Sequence, residues 1–183
     1  MARKGARHTT ELNLPAVTVI TDSGPLIHLS IVHQFHLLQH LFLQVSTIPQ
    51  VIDEVITHGN GRPGEAELRQ GIQDKWIRIV PVTDRTVIQR LTAPNLSEID
   101  SAVIACALES RATAVLSDDV AVRRVAEREG LSVIGTVGIL THARVNGVVD
   151  QLKPLLDQLI NEGFYLNPSG HIYQDALTRT GER

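Results

Sequence analysis

"LSEIDSAVIACALESRATAVLSDD", residues 96 to 119, decides the fold. It holds an alanine-rich apolar run of helical length, a short β-branched run, and carboxylates at both ends of the unit: Glu98 and Asp100 before it, Asp118 and Asp119 after it. An apolar run this long, opened by a Ser-x-x-Asp pattern, predicts a buried helix over 97 to 110. The shorter run "ATAVLS" predicts a buried strand over 112 to 117.

The same alternation extends outward. A helix over 119 to 129 closed by Gly130, a strand over 131 to 134 and a helix over 137 to 146 closed by Gly147 follow. Upstream, "AVTVIT" (16 to 21) is a buried strand stopped by "DSGP", and the apolar spacing of residues 24 to 43 gives one or two helices. "LQVSTI" is the next strand, and Pro49 opens a helix running to Gly59. "HGNGRPGE" is a loop, and "WIRIVPV" (76 to 82) is a strand near an edge. A helix over 84 to 92 ends at "APN". The tail carries a helix over about 150 to 162, then a loop and a final short helix. Strands alternating with helices predict a single α/β domain: a central parallel sheet covered by helices on both faces, with right-handed crossovers. The expected organisation is a flexible basic arm (1 to 15), the α/β domain (16 to 149) and a helical extension (150 to 183) packed on it.

A chain of 183 residues, 43% hydrophobic, is long enough for a full core without a staple. The lone Cys106, inside "AVIACAL", reads as a small buried hydrophobe, in keeping with a reducing cytoplasm. The first ten residues lack the apolar stretch of a secretion signal. No Asp, Glu, Lys or Arg occurs between Ser23 and Ile52, but histidines, glutamines and prolines interrupt the run, so a membrane span is rejected. A net charge of −3 offers no broad attraction for nucleic acid, so a polyanionic substrate needs a local basic patch or a bound cation.

A helix that feeds a strand starts near the sheet's carboxyl edge, so Glu98 or Asp100 can meet Asp118 or Asp119 there. Asp22 also ends a strand, and Glu54, in the second turn of the helix opened by Pro49, can approach from one side. Like charges in one crevice repel unless a cation compensates, and oxygen-only ligands favour Mg²⁺ or Mn²⁺. Such a site suits phosphodiester hydrolysis. Each residue also has a structural reading. Asp22 can cap the next helix, Ser97 and Asp100 can form a capping box, one of Asp118 and Asp119 can cap the following helix, and Glu54 can lie on a solvated face. Glu98 and Asp100, two apart, do not share a helix face, so at most one points into the site.

At these residues the chain resembles the PIN-domain nucleases, small metal-dependent α/β ribonucleases that include many microbial toxins. "VITDSGPLIHL" is similar to the family's first strand, acid and helix; "IPQVIDEV" to its Pro-x-Val-x-x-Glu segment; "EIDSAVIACALESRATAVLSDD" to its third and fourth acidic blocks. "DDVAVRRVAEREGLSVIGTVGILTHARVNG" resembles a subgroup with a Gly-Thr-x-Gly-x-Leu segment after the last acid. The resemblance implies Asp22, Glu54, Asp100 and Asp119 as the four acidic positions holding Mg²⁺ or Mn²⁺, with Ser23 as the associated small polar residue. Asp118 is an alternative fourth ligand, and Glu98 shares or replaces the role of Asp100. It implies an RNA substrate, a homodimer and the toxin of a toxin–antitoxin pair, with an antitoxin protein as partner. Arg123 is a candidate phosphate contact, although its helix also supports surface ion pairs, among them Arg124 with Glu127. Arg62 sits on the loop as a candidate rim contact. The competing expectation is a catalytically silent PIN-like scaffold or nucleic-acid-binding protein whose acids only cap helices. His33, His36 and His40 lack ligand-spaced partners for Zn²⁺ and read as a solvated or interface face. A receiver-like phosphoacceptor fits poorly, because "DS" offers no acidic pair and no strand-end Lys-Pro appears.

Overall fold

β1, Thr18–Thr21, is the middle strand of a five-stranded sheet. Its sequence, TVIT, is almost wholly buried, as a parallel strand covered on both faces must be. The computed structural model describes residues 17 to 182 apart from residues 60, 92 and 94, so the arm expected at 1 to 15 lies outside the described residues. After β1 come α1 (Ser23–Ile31), α2 (Leu37–Leu41), β2 (Gln44–Thr47) and α3 (Pro49–Ile52), which runs on as a π-helical turn over Asp53–Thr57. Next are α4 (Glu65–Gln73), β3 (Ile77–Ile79), α5 (Arg85–Leu91), α6 (Glu98–Glu109), β4 (Ala114–Leu116), α7 (Val120–Arg128), β5 (Ser132–Ile134) and α8 (Thr136–Val145). The chain closes with α9 (Lys153–Asn161) and α10 (His171–Thr180).

Every strand pair is parallel, in the order β3-β2-β1-β4-β5. Ile20 lies opposite Ser46 on one side and Val115 on the other, which brings the carboxyl ends of β1, β2 and β4 to one edge. Helices flank the sheet: α6 packs on β1 and β4, α4 on β3, α7 on β5 and α2 on β2. α9 and α10 join the same core through Leu152, Leu156, Leu159, Tyr173 and Leu177, and α10 lies along α8. Gln158 Nε2 donates to the Ile31 carbonyl at 3.0 Å, tying α9 to the end of α1. Cys106 is fully buried.

The departures from the sequence reading have physical causes. Of the one or two helices expected over 24 to 43 there are two, with His33 in a left-handed conformation, φ 55°, between them. The helix after Pro49 widens, His58 N–H donating to the Asp53 carbonyl five residues back. β3 is shorter than expected and lies at the sheet's edge; its last ladder bond is Val80 N–H to the Thr47 carbonyl, and Pro81 has no N–H to continue. α4 fills a stretch between the loop and the next strand for which the sequence reading named no element. A Cβ at Gly71 would stand 2.6 Å from Ile77 Cδ1 on β3 and 3.0 Å from Trp76, so a larger residue there makes those side chains shift. The final helix runs ten residues rather than a short turn. Among the described residues no helix is long and apolar enough to cross a membrane.

Ile104, in α6, is fully buried between helix and sheet. Ile104→Ala is expected to cost about 2–5 kcal/mol through lost burial and a residual cavity, read as a lower urea midpoint with an unchanged slope.

Candidate active site

Asp22 leaves the end of β1 and enters the N-terminus of α1. Its N–H donates to the Leu116 carbonyl of β4 at 3.1 Å, which carries the sheet ladder one residue past the strand. Its Oδ1 accepts from Gly24 N–H at 2.9 Å and so caps α1. The residue is only 8% exposed. Burial is the main force pushing its carboxyl up to about 7; the Ser117 hydroxyl opposes it by hydrogen bonding, while the negative charges of Asp118 and Asp100 raise it further. Strand-end acids from β1 and β4 and a helix-start acid from α6 thus meet electrically at one sheet edge.

Asp118 is the most firmly held of these groups. Thr136 gives it two hydrogen bonds, N–H to Oδ1 at 2.7 Å and Oγ1 to Oδ2 at 2.6 Å. His28 Nδ1 lies 2.8 Å from Oδ2. One glycine makes room for it and a second lies beside it. A Cβ at Gly135 would come 2.9 Å from Asp118 Oδ1, and one at Gly24 would lie 3.3 Å from Asp22 Oδ1 and 3.5 Å from Asp118 Oδ2. Gly24 is therefore flanked by both carboxylates.

Asp100 carries out the capping role read from its sequence: Ser97 Oγ accepts from Asp100 N–H, and Asp100 Oδ2 accepts from Ser97 N–H, each at 3.0 Å. It still acts on Asp22, whereas Glu98 is exposed at the helix start. Asp119 is exposed and caps α7 through Ala121 and Val122 N–H, while its own N–H donates to Ser117 Oγ at 3.1 Å. Glu54 lies on the exposed side of the π-helical turn, and the charges acting on Asp22 are those of Asp118 and Asp100 instead. Ser23 begins α1 beside Asp22, and Arg62 is exposed on the loop before α4. Arg123 donates to the Val133 carbonyl at 2.9 Å and lies 3.5 Å from Glu127, so the surface ion pair expected of Arg124 forms at Arg123. His33, His36 and His40 are exposed.

The sequence reading missed Ser117, Thr136, Gly135 and His28. The Gly-Thr of "GTVGIL" was the available signal for two of them, and its physical reason is the seat it makes for Asp118. Ser117 and His28 carry no sequence mark that separates them from other serines and histidines. The oxygen-only set of Asp22, Asp100 and Asp118 is of the donor type that suits a hard divalent cation. Among the described residues, no three His, Cys, Asp or Glu side chains are gathered to hold a metal ion as they stand. One oxygen of Asp100 and both of Asp118 are directed to protein donors.

A family model described as a PIN domain matches residues 18 to 182. No curated protein matches the chain.

Because the Asp22 carboxyl titrates near 7 when folded and at 3.8 as an ordinary aspartate, its contribution to stability is full below about pH 4 and is lost as pH rises through 7. In EDTA, Asp22→Asn, which keeps an acceptor for Gly24 N–H, is expected to gain on the parent between pH 4 and pH 8, by up to about 4 kcal/mol. Urea unfolding across that range measures the gap; a gap that stays constant with pH removes the burial and repulsion assigned to Asp22.

Proposed function

Since the chain belongs to the PIN-domain family, whose members are generally nucleases, we propose that it is a Mg²⁺- or Mn²⁺-dependent endoribonuclease whose centre is Asp22. The observation that carries this reading is the Asp22 carboxyl, raised chiefly by burial and further by the charges of Asp118 and Asp100, at the carboxyl edge of a parallel sheet, where α/β proteins place their sites. In this reading Asp22, Asp100 and Asp118 hold the cation. When bound, the cation supplies charge for the phosphodiester and lowers the pKa of water.

The chain's own part is to keep that edge preorganised. Ser117 donates to Asp22, Gly24 fixes one Asp22 oxygen, and the capping box fixes Asp100. Ser23, Arg62 and Arg123 are the proposed contacts to the RNA backbone, with Glu54 as an acid approaching from the exposed side. Asp119 is assigned to the helix cap and Asp118 to the site, because Asp118 is the one whose charge acts on Asp22. A toxin role, with an antitoxin protein as inhibitor and a homodimer as the working form, rests on the resemblance of the acidic blocks. The silent-scaffold reading draws on one specific observation, that Asp22, Asp100 and Asp119 all cap helices.

Cleavage of single-stranded and structured RNA, with Mg²⁺ or Mn²⁺ and with EDTA, separates the two. The parent is expected to cut only with metal. Asp22→Asn, Asp100→Asn and Asp118→Asn are each expected to lose at least about a hundredfold, roughly 2.7 kcal/mol of transition-state stabilisation. Asp119→Asn retains activity, because asparagine caps a helix as well as aspartate. Full activity in Asp22→Asn overturns the catalytic assignment, and a parent that cuts nothing with either metal favours the scaffold.

A further inference from the structure

His28 belongs to neither the acidic blocks nor the core. It lies on α1, six residues beyond Asp22, and its ring is held from two sides. Nδ1 is 2.8 Å from Asp118 Oδ2, and the edge of the ring meets Phe164 with centroids 4.6 Å apart and planes at 69°. Phe164 comes from the segment joining α9 to α10, so the tail touches the wall of the site at this imidazole. An ionised carboxylate only accepts, so the nitrogen facing Asp118 is the donor. With Thr136 Oγ1, two donors converge on Asp118 Oδ2, while Oδ1 has the Thr136 N–H.

We propose that His28 is a positioning residue of the acidic site: its Nδ1–H, with Thr136, locks the Asp118 carboxylate in the orientation that receives the divalent cation. The inference rests on the nuclease reading and adds to it a residue that touches neither metal nor RNA. Groups that hydrogen-bond a ligating carboxylate set its orientation and basicity, and their loss costs about 10–100-fold in metal affinity. The packing against Phe164 keeps the donor aimed, since an imidazole free to rotate about its side-chain bonds would spread its N–H over several directions.

Two substitutions separate donor from shape. His28→Phe keeps a ring against Phe164 and deletes the N–H; His28→Asn keeps an N–H near the Nδ1 position and gives up most of the ring. The protein is titrated with Mn²⁺ while the rise in melting temperature is followed, and the half-saturating Mn²⁺ for RNA cleavage is measured alongside. His28→Phe is expected to need about tenfold more Mn²⁺ in both measurements. His28→Asn stays within about threefold of the parent. Thr136→Val, which removes the other donor to the same oxygen, is expected to follow His28→Phe and serves if that variant does not fold. A donor-deleted variant with the parent's Mn²⁺ response overturns the inference and leaves the nuclease reading standing, as does His28→Asn impaired as far as His28→Phe. A parent with neither a Mn²⁺ response nor cleavage overturns both.

Discussion

The structure depends on keeping one carboxylate, Asp22, out of water at the end of its central strand. That position is forced by the sheet. β1 is paired on both sides, so the residue that follows it is enclosed by β4, by the start of α1 and by Ser117. An aspartate there is costly in its charged form, and its neighbours limit the cost without removing it. Ser117 and Gly24 N–H favour the ionised form, while Asp118 and Asp100 oppose it. A protein that wanted only a helix cap would manage with a serine or an asparagine at this place. Keeping an acid there, within the electrostatic reach of two more acids, makes sense for a charge that is meant to be met by something positive.

Capping and catalysis are not rival explanations at this edge. The carboxyl edge of a parallel sheet is where helix N-termini gather, and their unpaired N–H groups and dipoles favour nearby anions. α1 and α7 each start with an aspartate accepting from their first turn, and at the start of α6 Ser97 accepts from Asp100 N–H while Asp100 accepts from Ser97 N–H. The caps hold carboxylates at fixed angles and partly neutralise them, so several can be brought close without unfolding the edge. Asp100 makes the point: its capping box is complete, and its charge still reaches Asp22.

The strands and most helices were legible in the sequence, because β-branched runs and glycine stops carry local information. α6 and β4 fell within two residues of their expected ends. What was not legible depended on partners distant along the chain. Asp118 and Asp119 are adjacent and chemically identical, so only the seat made by Thr136, Gly135 and His28 distinguishes them. Glu54, read by spacing onto a regular helix, lies within the π-helical turn Asp53–Thr57 on an exposed position.

The strand order has a consequence for how the chain is made. β2, one partner of β1, follows it closely in the chain, but the partner of its other edge, β4, is made about 70 residues after β2. At usual ribosomal speeds that interval lasts roughly 4–14 s, during which a β-branched strand lies open on one side. Asp22 stands at the end of that open edge. Before β4 arrives its carboxylate is hydrated and fully charged, and a charge at an unpaired edge discourages pairing with another nascent chain. The residue that the finished fold encloses at some cost is therefore, for those seconds, the guard of the strand it ends.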